Sequence, residues 1–318
     1  MEIIDLRHFT SADLRPLLQE ETEVWSDELA WDYSSSADMI LRYVDARILP
    51  GYAAVERGRL HGYAFFVYEG NKGVIGDLYV GQEHAPNGKE SPVEKKLVTH
   101  VLETLQESPG VHRIEAQLLL HETGRVAGPF LHQGFQRYPR LFMELALAGH
   151  VAPAKASAAK PCSFELRRWQ ESDYQHAAAL ITACYRDHID SQINDQYRTV
   201  QGALRFLNNI VRFPGCGVFD ANSSFVAIDR ATRAPVGLIL CSRVKDNIGH
   251  VTQVCVLPEH RGKKIGLALL EASAEELRKR SFKTLSLTVT EANERAVDLY
   301  RQLGFSVARV FDAFVWEG

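Results

Sequence analysis

The sequence has few cysteines and no long apolar run, and both shortages narrow the class of protein. Its 318 residues include five cysteines, an odd number, and none of them forms a Cys-x-x-Cys pair. Scattered cysteines of this kind predict free thiols in a reducing cytoplasm and argue against a structural zinc site. The longest apolar runs, such as VGLILC at 236–241, are much shorter than the roughly 20 residues of a membrane-spanning helix. We therefore expect a cytoplasmic protein without a membrane partner.

The sequence also has no excess of positively charged residues over negatively charged ones. The chain has 36 Lys and Arg against 40 Asp and Glu, a net charge of −4. This balance provides no overall basic field of the kind that nucleic-acid binding requires. The first residues, MEIIDLRHF, alternate like a strand and lack the basic start and apolar stretch of a signal peptide. We expect a globular protein that binds no nucleic acid and is long enough for two domains.

A segment without apolar periodicity separates two halves that resemble each other. The sequence at 149–162, GHVAPAKASAAKPC, is rich in Ala, Pro and Lys and predicts a linker. Short matches recur in the same order on either side of it: LRHFTSAD with LRRWQESD, VGQEH with VLPEH, and LHQGFQ with RQLGFS. Ordered matches favour a duplicated domain. We therefore predict two domains, at 1–148 and 163–318.

The second half has the pattern of a single α/β unit. Strands are predicted at 163–169, 223–229, 236–244, 249–257, 284–290 and from 305, and helices near 171–188, 195–212, 262–280 and 293–303. The last elements alternate between strand and helix, which favours parallel pairing, whereas the consecutive strands upstream favour antiparallel pairing. The expected fold class is therefore α/β (α+β), with a mixed, mostly antiparallel sheet flanked by helices.

Residues 258–270, PEHRGKKIGLALL, place positive charge where a helix is predicted to begin. The start of a helix already carries a partial positive charge, so Arg261, Lys263 and Lys264 are unfavourable there unless an anion binds. The segment is not a Walker loop, because Leu257 stands where glycine is needed and Lys264 where Ser or Thr is needed. Taken alone, it predicts either a phosphate site or a solvated basic turn.

A second motif follows at 293–305, NERAVDLYRQLGF. Asn293 is placed to cap a helix, Ala296, Tyr300 and Leu303 share one face of it, and Gly304 follows its end. Together the two segments read V-x-P-x-x-R-G-x-x-x-G and N-x-x-A-x-x-L-Y-x-x-x-G-F. In this order and spacing they resemble the GCN5-related N-acetyltransferase (GNAT) superfamily, over essentially the whole C-terminal half.

The resemblance implies acetyl-CoA as cosubstrate and assigns a role to each part of the site. It implies that the first segment binds the CoA pyrophosphate, that Asn293 and Ala296 lie near the pantetheine arm, and that Tyr300 protonates the departing thiolate. The strand before the loop would hold the thioester carbonyl through its backbone N–H groups. The residues assigned to CoA are Val254, Cys255, Val256, Arg261, Gly262, Lys263, Lys264, Ile265, Gly266, Asn293 and Ala296.

Three positions depart from the family pattern or leave alternatives open. Lys264 replaces a glycine of the family loop, and we expect it to be tolerated because a helix-start residue needs no positive φ. A strand glutamate that acts as base in many relatives is missing at 252–254 (TQV), so His250, Glu291 and a water relay remain weak candidates. For Cys255 we favour a core thiol over an acylated nucleophile, since no His–Asp pair is recognisable to activate it.

The first half keeps the pattern and lacks the residues of the cofactor site. Alignment of its Gly-Phe pair with Gly304-Phe305 places Thr123 opposite Asn293 and Phe130 opposite Tyr300. Its loop has no Arg-Gly pair and carries Pro92, Glu90 and Glu94 instead. His121-Glu122 begins like a zinc HExxH motif, but Arg125 breaks it. We therefore expect a degenerate domain in a tandem arrangement similar to that of mycothiol synthase.

The sequence thus predicts a tandem N-acetyltransferase that is active in its C-terminal half. An amine, from a small molecule or a peptide, would attack the thioester directly, without a metal. A non-catalytic acyl-CoA sensor is the alternative, favoured by the missing base and opposed by Tyr300. We expect a monomer or a homodimer.

Overall fold

The computed structural model describes residues 1–84, 91–148, 163–212 and 217–318. The predicted linker at 149–162 lies outside these residues. The first half contains β1 (Glu2–Asp5), α1 (Ser11–Leu29), α2 (Ser34–Asp45), β2 (Gly51–Glu56), β3 (Arg59–Glu69), β4 (Lys72–Val80), α3 (Pro92–Glu107), β5 (Arg113–Glu122), α4 (Ala127–His132) and β6 (Gln136–Ala146). Among the described residues, no helix combines the length and the apolar character that a membrane span requires.

The second half repeats this order with one additional short helix and one additional short strand. It contains β7 (Phe164–Arg168), α5 (Tyr174–Cys184), α6 (Asp190–Ile193), α7 (Val200–Arg212), β8 (Val218–Phe219), β9 (Phe225–Asp229), β10 (Pro235–Lys245), β11 (Ile248–Val256), α8 (Ile265–Lys279), β12 (Thr284–Thr290), α9 (Glu294–Gln302) and β13 (Ser306–Glu317). The predicted elements of this half all form. The main difference is that α8 begins at Ile265 and not at 262, because the glycine and lysines before it form a separate turn.

Residues Met1–Leu141 and Arg309–Gly318 form one compact unit, and Phe142–Ala308 form the other. The division falls inside β6 and β13. In the first unit, Phe311 to Glu317 of β13 pair antiparallel with β5. The predicted domains, 1–148 and 163–318, stay a prediction, whereas the compact units assign the last residues of the chain to the N-terminal unit.

Each unit contains a mixed sheet with a single parallel pair among the strands whose register is described. The N-terminal unit has the order β1-β2-β3-β4-β5-β13, antiparallel throughout except between β4 and β5. The C-terminal unit has the order β12-β11-β10-β9-β7, with β8 beside β10, and β11 and β12 are its parallel pair. The predicted fold class, a mixed and mostly antiparallel sheet flanked by helices, is confirmed.

In each unit the pairing of the two parallel strands ends just before a bulge in the central strand. β11 pairs with β12 from Ile248 to Val251 and then continues to Val256 without a described partner on that edge. Directly after this point Thr252 is an extra residue opposite β10 and forms a bulge. Gly76 is the corresponding bulge in the N-terminal unit. Bulges are common beside active sites because they redirect the next side chain, so each unit has a site-like opening at the end of its central strand.

Candidate active site

The loop between β11 and α8 has the backbone of an anion-binding turn. A short 3₁₀ turn at Pro258–His260 leads into Gly262 with φ of +81° and Lys264 with φ of +64°. Residues in this left-handed region turn successive N–H groups toward a common point. The space where a Gly262 side chain would stand is open, with no atom within 4 Å. A ligand can therefore approach the backbone closely here.

The start of α8 matches this turn in charge. The N–H groups of the first helical turn have no partner inside the helix, and among the described residues no side chain caps them. Lys263 and Lys264 are both exposed beside them. A side chain at Gly266 would meet Leu299 at 3.6 Å, an ordinary contact, so packing alone does not require glycine there. These residues fit the pyrophosphate of an acyl-CoA.

Lys264 differs from our expectation in one respect. It was expected to hold an ordinary helix-start conformation, but its φ of +64° lies in the left-handed region, as the N-cap of α8. A non-glycine residue in this region costs on the order of 1–3 kcal/mol. The backbone at this position therefore has the left-handed conformation that the glycine of the family pattern adopts without strain. Lysine is strained there, but it adds a positive charge.

The side chain of Arg261 is bonded to two backbone carbonyl groups. Its Nη2 donates to the carbonyl of Cys184 at 3.0 Å, and its Nε donates to the carbonyl of Val256 at 3.3 Å. Cys184 is the last residue of α5, so the guanidinium ties the end of that helix to the end of β11. Arg261 thus positions the loop, whereas Lys263 and Lys264 supply the exposed charge.

The open edge of β11 presents fewer N–H groups than expected. The N–H of Val254 donates to Oε1 of Gln253 at 3.0 Å, so it is already paired. The N–H of Leu257 donates to Val236 on β10. Because successive residues of a strand face opposite edges, the N–H of Val256 faces away from β10, toward the opening. We therefore correct the expectation for Val254 and retain Val256 as the backbone donor.

Gln253 follows the bulge at Thr252, and one of its side-chain donors is buried. Its Oε1 also accepts from the hydroxyl of Tyr185 at 2.7 Å. Its Nε2 is buried and has no hydrogen-bond partner among the described residues. A buried donor without a partner is costly, and such groups mark places where a ligand completes the bonding. The sequence analysis had noted Gln253 only for not being a base.

His188 is the main functional candidate that the sequence analysis missed. Its Nε2 lies 3.4 Å from Nδ2 of Asn293, and its Nδ1 lies 3.2 Å from the N–H of Asp190. The uncharged ring has one acceptor nitrogen that can take one of these N–H groups, whereas an imidazolium has none. Burial lowers the pKa of His188 and nearby Arg261 lowers it further, while Asp190 opposes them. The lowered pKa favours the uncharged form of His188, the form that can accept a proton.

Asp190 gives this histidine an acidic neighbour. Its Oδ2 lies 3.7 Å from Nδ1 of His188, and its Oδ1 accepts a hydrogen bond from Thr290. The only available sequence signal was the His-x-Asp at 188–190, immediately after a predicted helix. Short patterns of this kind are common in loops, so only the fold distinguishes this one.

Asn293 lies at the start of α9, and Tyr300 lies on the buried face of the same helix. The side chain of Asn293 caps α9 by accepting from the N–H of Ala296. The side chain of Tyr300 is 6% exposed. Burial raises the pKa of Tyr185, and among its neighbours Asp190, Cys255 and Tyr300 add to the increase. Tyr185 and Tyr300 are thus near enough to interact electrostatically.

The other predicted candidates for a base or nucleophile take no part in this arrangement. His250 is buried, bonds to Ser286 and stacks on Phe142, so it is a core residue and not a solvated one. Glu291 is exposed. Burial, followed by the adjacent thiol of Cys184, raises the pKa of Cys255 well above its ordinary value. A thiol in that environment is a poor nucleophile, in agreement with the core role favoured above.

The N-terminal unit has a carboxylate where the C-terminal unit has an open anion site. Ser91 Oγ caps the start of α3, and the buried carboxylate of Glu94 accepts from the N–H of Ser91 at 2.8 Å. Glu94 is also bonded by Arg125. Glu90, the other acidic residue in the prediction, lies outside the described residues. The chain thus supplies its own anion at this helix start.

The opening beside β4 is filled as well. His121 is buried and its Nε2 lies 2.8 Å from the carbonyl of Leu78, which corresponds to Val254 by its position after the bulge. Phe130 is fully buried and stacks on Phe314 at 4.0 Å. Glu94, His121 and Phe130 thus occupy the places that correspond to the predicted cofactor site, and the loss of that site from this half stays a prediction.

Comparison with known sequences gives a family match for the C-terminal half. Residues 168–305 match the model described as the acetyltransferase (GNAT) family. The chain is 29% identical over 152 residues to a mycothiol acetyltransferase of Propionibacterium freudenreichii subsp. shermanii, which covers 43% of this chain and 47% of that protein. The chain spans less than half the length of the curated relatives it matches.

Comparison with solved structures extends the similarity to the whole chain. A GCN5-related N-acetyltransferase from Sphaerobacter thermophilus aligns over 99% of this chain and 95% of its own, with a TM-score of 0.65 and 16% identity. A tandem GNAT protein from the clavulanic acid biosynthesis pathway aligns over 99% and 98%, with a TM-score of 0.59 and 15% identity. Identities this low speak for the fold alone.

Proposed function

We propose that the chain is an acetyl-CoA-dependent N-acetyltransferase with one active site, in its C-terminal unit, because its residues 168–305 match the acetyltransferase (GNAT) family model and its fold is that of tandem GNAT proteins. One contrast carries the proposal. The start of α8 is uncapped and flanked by exposed lysines, whereas the start of α3 is capped by Ser91 and a buried Glu94. The start of α8 leaves a place for a bound anion, whereas the start of α3 already holds the carboxylate of Glu94.

The proposed chemistry uses residues on β11, on α9 and in the segment after α5. When bound, acetyl-CoA would supply the acetyl thioester. His188 would take the proton from the acceptor amine, because its pKa is lowered by burial and its surroundings favour the uncharged ring. The N–H of Val256 and the unpartnered Nε2 of Gln253 would donate to the carbonyl oxygen as negative charge develops there. Tyr300 would give its hydroxyl proton to the departing sulfur.

The acceptor is proposed to be a primary amine of a small molecule or a peptide. The direct test is release of free thiol when the protein is incubated with acetyl-CoA and a panel of amines, polyamines, amino acids and peptide N-termini. An acetyltransferase releases one thiol for each acetylated amine, confirmed by mass spectrometry. Tight acetyl-CoA binding without thiol release from any amine would support the acyl-CoA sensor instead.

The two exposed lysines should dominate binding of the pyrophosphate. Lys263→Glu combined with Lys264→Glu should raise the KM for acetyl-CoA by roughly thirtyfold, because losing charge-assisted contacts costs about 2 kcal/mol. Steady-state kinetics at fixed amine concentration measure this. Lys95→Glu combined with Lys96→Glu, which changes two exposed lysines near the start of α3, is the matched control and should leave KM unchanged. Equal effects of the two pairs would mean that overall charge, and not this loop, attracts the cosubstrate.

A further inference from the structure

Two histidines and a glutamate form a cluster in the N-terminal unit, where the start of β3 lies beside the turn after β4. His61 Nδ1 lies 3.1 Å from Oε1 of Glu83, and His84 Nε2 lies 3.3 Å from the same oxygen. The potential ligand atoms of all three residues lie within 4.8 Å of one another. We propose that His61, Glu83 and His84 bind a divalent transition-metal ion of the zinc, cobalt or nickel type.

The separations suit a metal with tetrahedral bonds. Metal–nitrogen and metal–oxygen bonds of about 2.0–2.1 Å place two tetrahedral ligands roughly 3.3–3.4 Å apart. The two distances to Glu83 are close to this value. The third pair is the two imidazoles, whose ring centroids lie 4.2 Å apart and whose ligand atoms fall within the same 4.8 Å limit.

The backbone that carries these ligands is held in place by other bonds. The N–H of Gly81 donates to the carbonyl of His61 at 2.9 Å, and the N–H of His84 donates to the carbonyl of Gly81 at 2.8 Å. The N–H of Gln82 donates to Oε1 of Glu20 on α1 at 2.7 Å. Ligands on a fixed backbone lose little entropy when the ion binds.

The donor set selects the class of ion. Two imidazoles and one carboxylate suit zinc, nickel or cobalt, whereas magnesium and calcium prefer oxygen ligands. The side chains of His61 and His84 are 11% and 28% exposed, so an ion can reach them from solvent and keep water in its remaining positions.

The C-terminal unit supplies an internal comparison. VGQEH at 80–84 matches VLPEH at 256–260, so Glu259 and His260 repeat two of the three ligands. The third ligand is not repeated. Gly62 pairs with Val80 in the N-terminal unit, and Gly237 pairs with Val256 in the C-terminal unit. Val236 is therefore the residue of the C-terminal unit that is equivalent to His61. The proposed site is therefore specific to the N-terminal unit and is separate from the transfer chemistry of the other unit.

Titration with Co²⁺, followed by its visible absorption at pH ~7.5, tests this site on the full-length protein. We expect saturation at one equivalent per chain, with competition by Zn²⁺ and a higher melting temperature in the presence of either ion. His61→Ala and His84→Ala should each weaken binding at least tenfold, the lower bound seen when even the outer partners of a metal site are removed. Glu83→Gln, a change at an exposed side chain, tests the third ligand without risk to folding.

His260→Ala is the matched control, because it removes the corresponding histidine from the unit that lacks the third ligand. Binding that is unaffected by His61→Ala, His84→Ala and Glu83→Gln would overturn the proposal, as would equal weakening by His260→Ala. A strong near-ultraviolet thiolate band with Co²⁺ would show that cysteines bind the ion, and this result would also overturn the proposal. Absence of saturable binding would do the same.

Discussion

Replacing Tyr300 with phenylalanine should lower kcat by roughly ten- to a thousandfold, the usual cost of losing one general acid. Tyr300 is 6% exposed and its ring lies 5.8 Å from that of Phe305. Phenylalanine keeps this contact and removes only the hydroxyl that would protonate the departing thiolate. The KM for acetyl-CoA should change little, because the hydroxyl acts mainly in the transition state. Thiol release at saturating acetyl-CoA measures kcat.

The N-terminal unit indicates that phenylalanine fits this position. Phe130, which aligns with Tyr300, packs against Phe135 at 5.2 Å, and the backbone N–H of the glycine-phenylalanine turn bonds alike in both units. Tyr300→Phe should therefore melt close to the parent protein. Tyr43→Phe, which removes a phenol that is 43% exposed, controls for the change in chemistry. An unchanged kcat with a lower melting temperature would make Tyr300 a core residue and require another proton source.

Replacing His188 with glutamine should lower kcat/KM by roughly a hundredfold at pH ~8, because a positioned general base contributes at least that much. The pH profile gives the sharper result. Burial lowers the pKa of His188 from the ordinary value of about 6.5, and the ring is active only when unprotonated. The parent rate should therefore fall as the pH decreases through a value below about 6.5. The variant should lack this inflection, so the two profiles converge at low pH.

His176→Gln is the matched control for this measurement. His176 is exposed and lies on α5, the helix that leads to the His188 loop. Its replacement should leave both the rate and the profile unchanged. If His188→Gln lowered the rate equally at every pH, His188 would position the substrate without taking its proton.

Local rules of helix and strand chemistry explain what the sequence predicted well. Asn293 as an N-cap and Gly304 after the end of α9, with φ of +91°, follow from hydrogen bonding and backbone sterics within a few residues. The three-to-four spacing of apolar residues in α8 produces one buried face, with Ile265, Leu269 and Leu277 buried. The two matching segments LRHFTSAD and LRRWQESD both form capping turns, with Asp13 bonded to Thr10 and Asp173 bonded to Gln170.

The remaining features depend on contacts between distant segments. Arg261 looked like a phosphate ligand in the sequence, but its partners are the carbonyl of Cys184, far away along the chain, and that of Val256. His188 acquires its character from Asn293, which is 105 positions away. The left-handed backbone of Lys264 was unexpected because a lysine gives no sign that the turn still requires what glycine provides. Periodicity and capping rules do not address such relations.

Calorimetric titration of the full-length protein with CoA tests the central claim, that the C-terminal unit alone binds the acyl donor. The account predicts one site per chain, weakened by the pair Lys263→Glu and Lys264→Glu and unaffected by Lys95→Glu and Lys96→Glu. Two equivalent sites per chain would contradict it, as would one site that only the α3 pair weakens, because the capped helix start at Ser91 and Glu94 would then bind the cosubstrate after all.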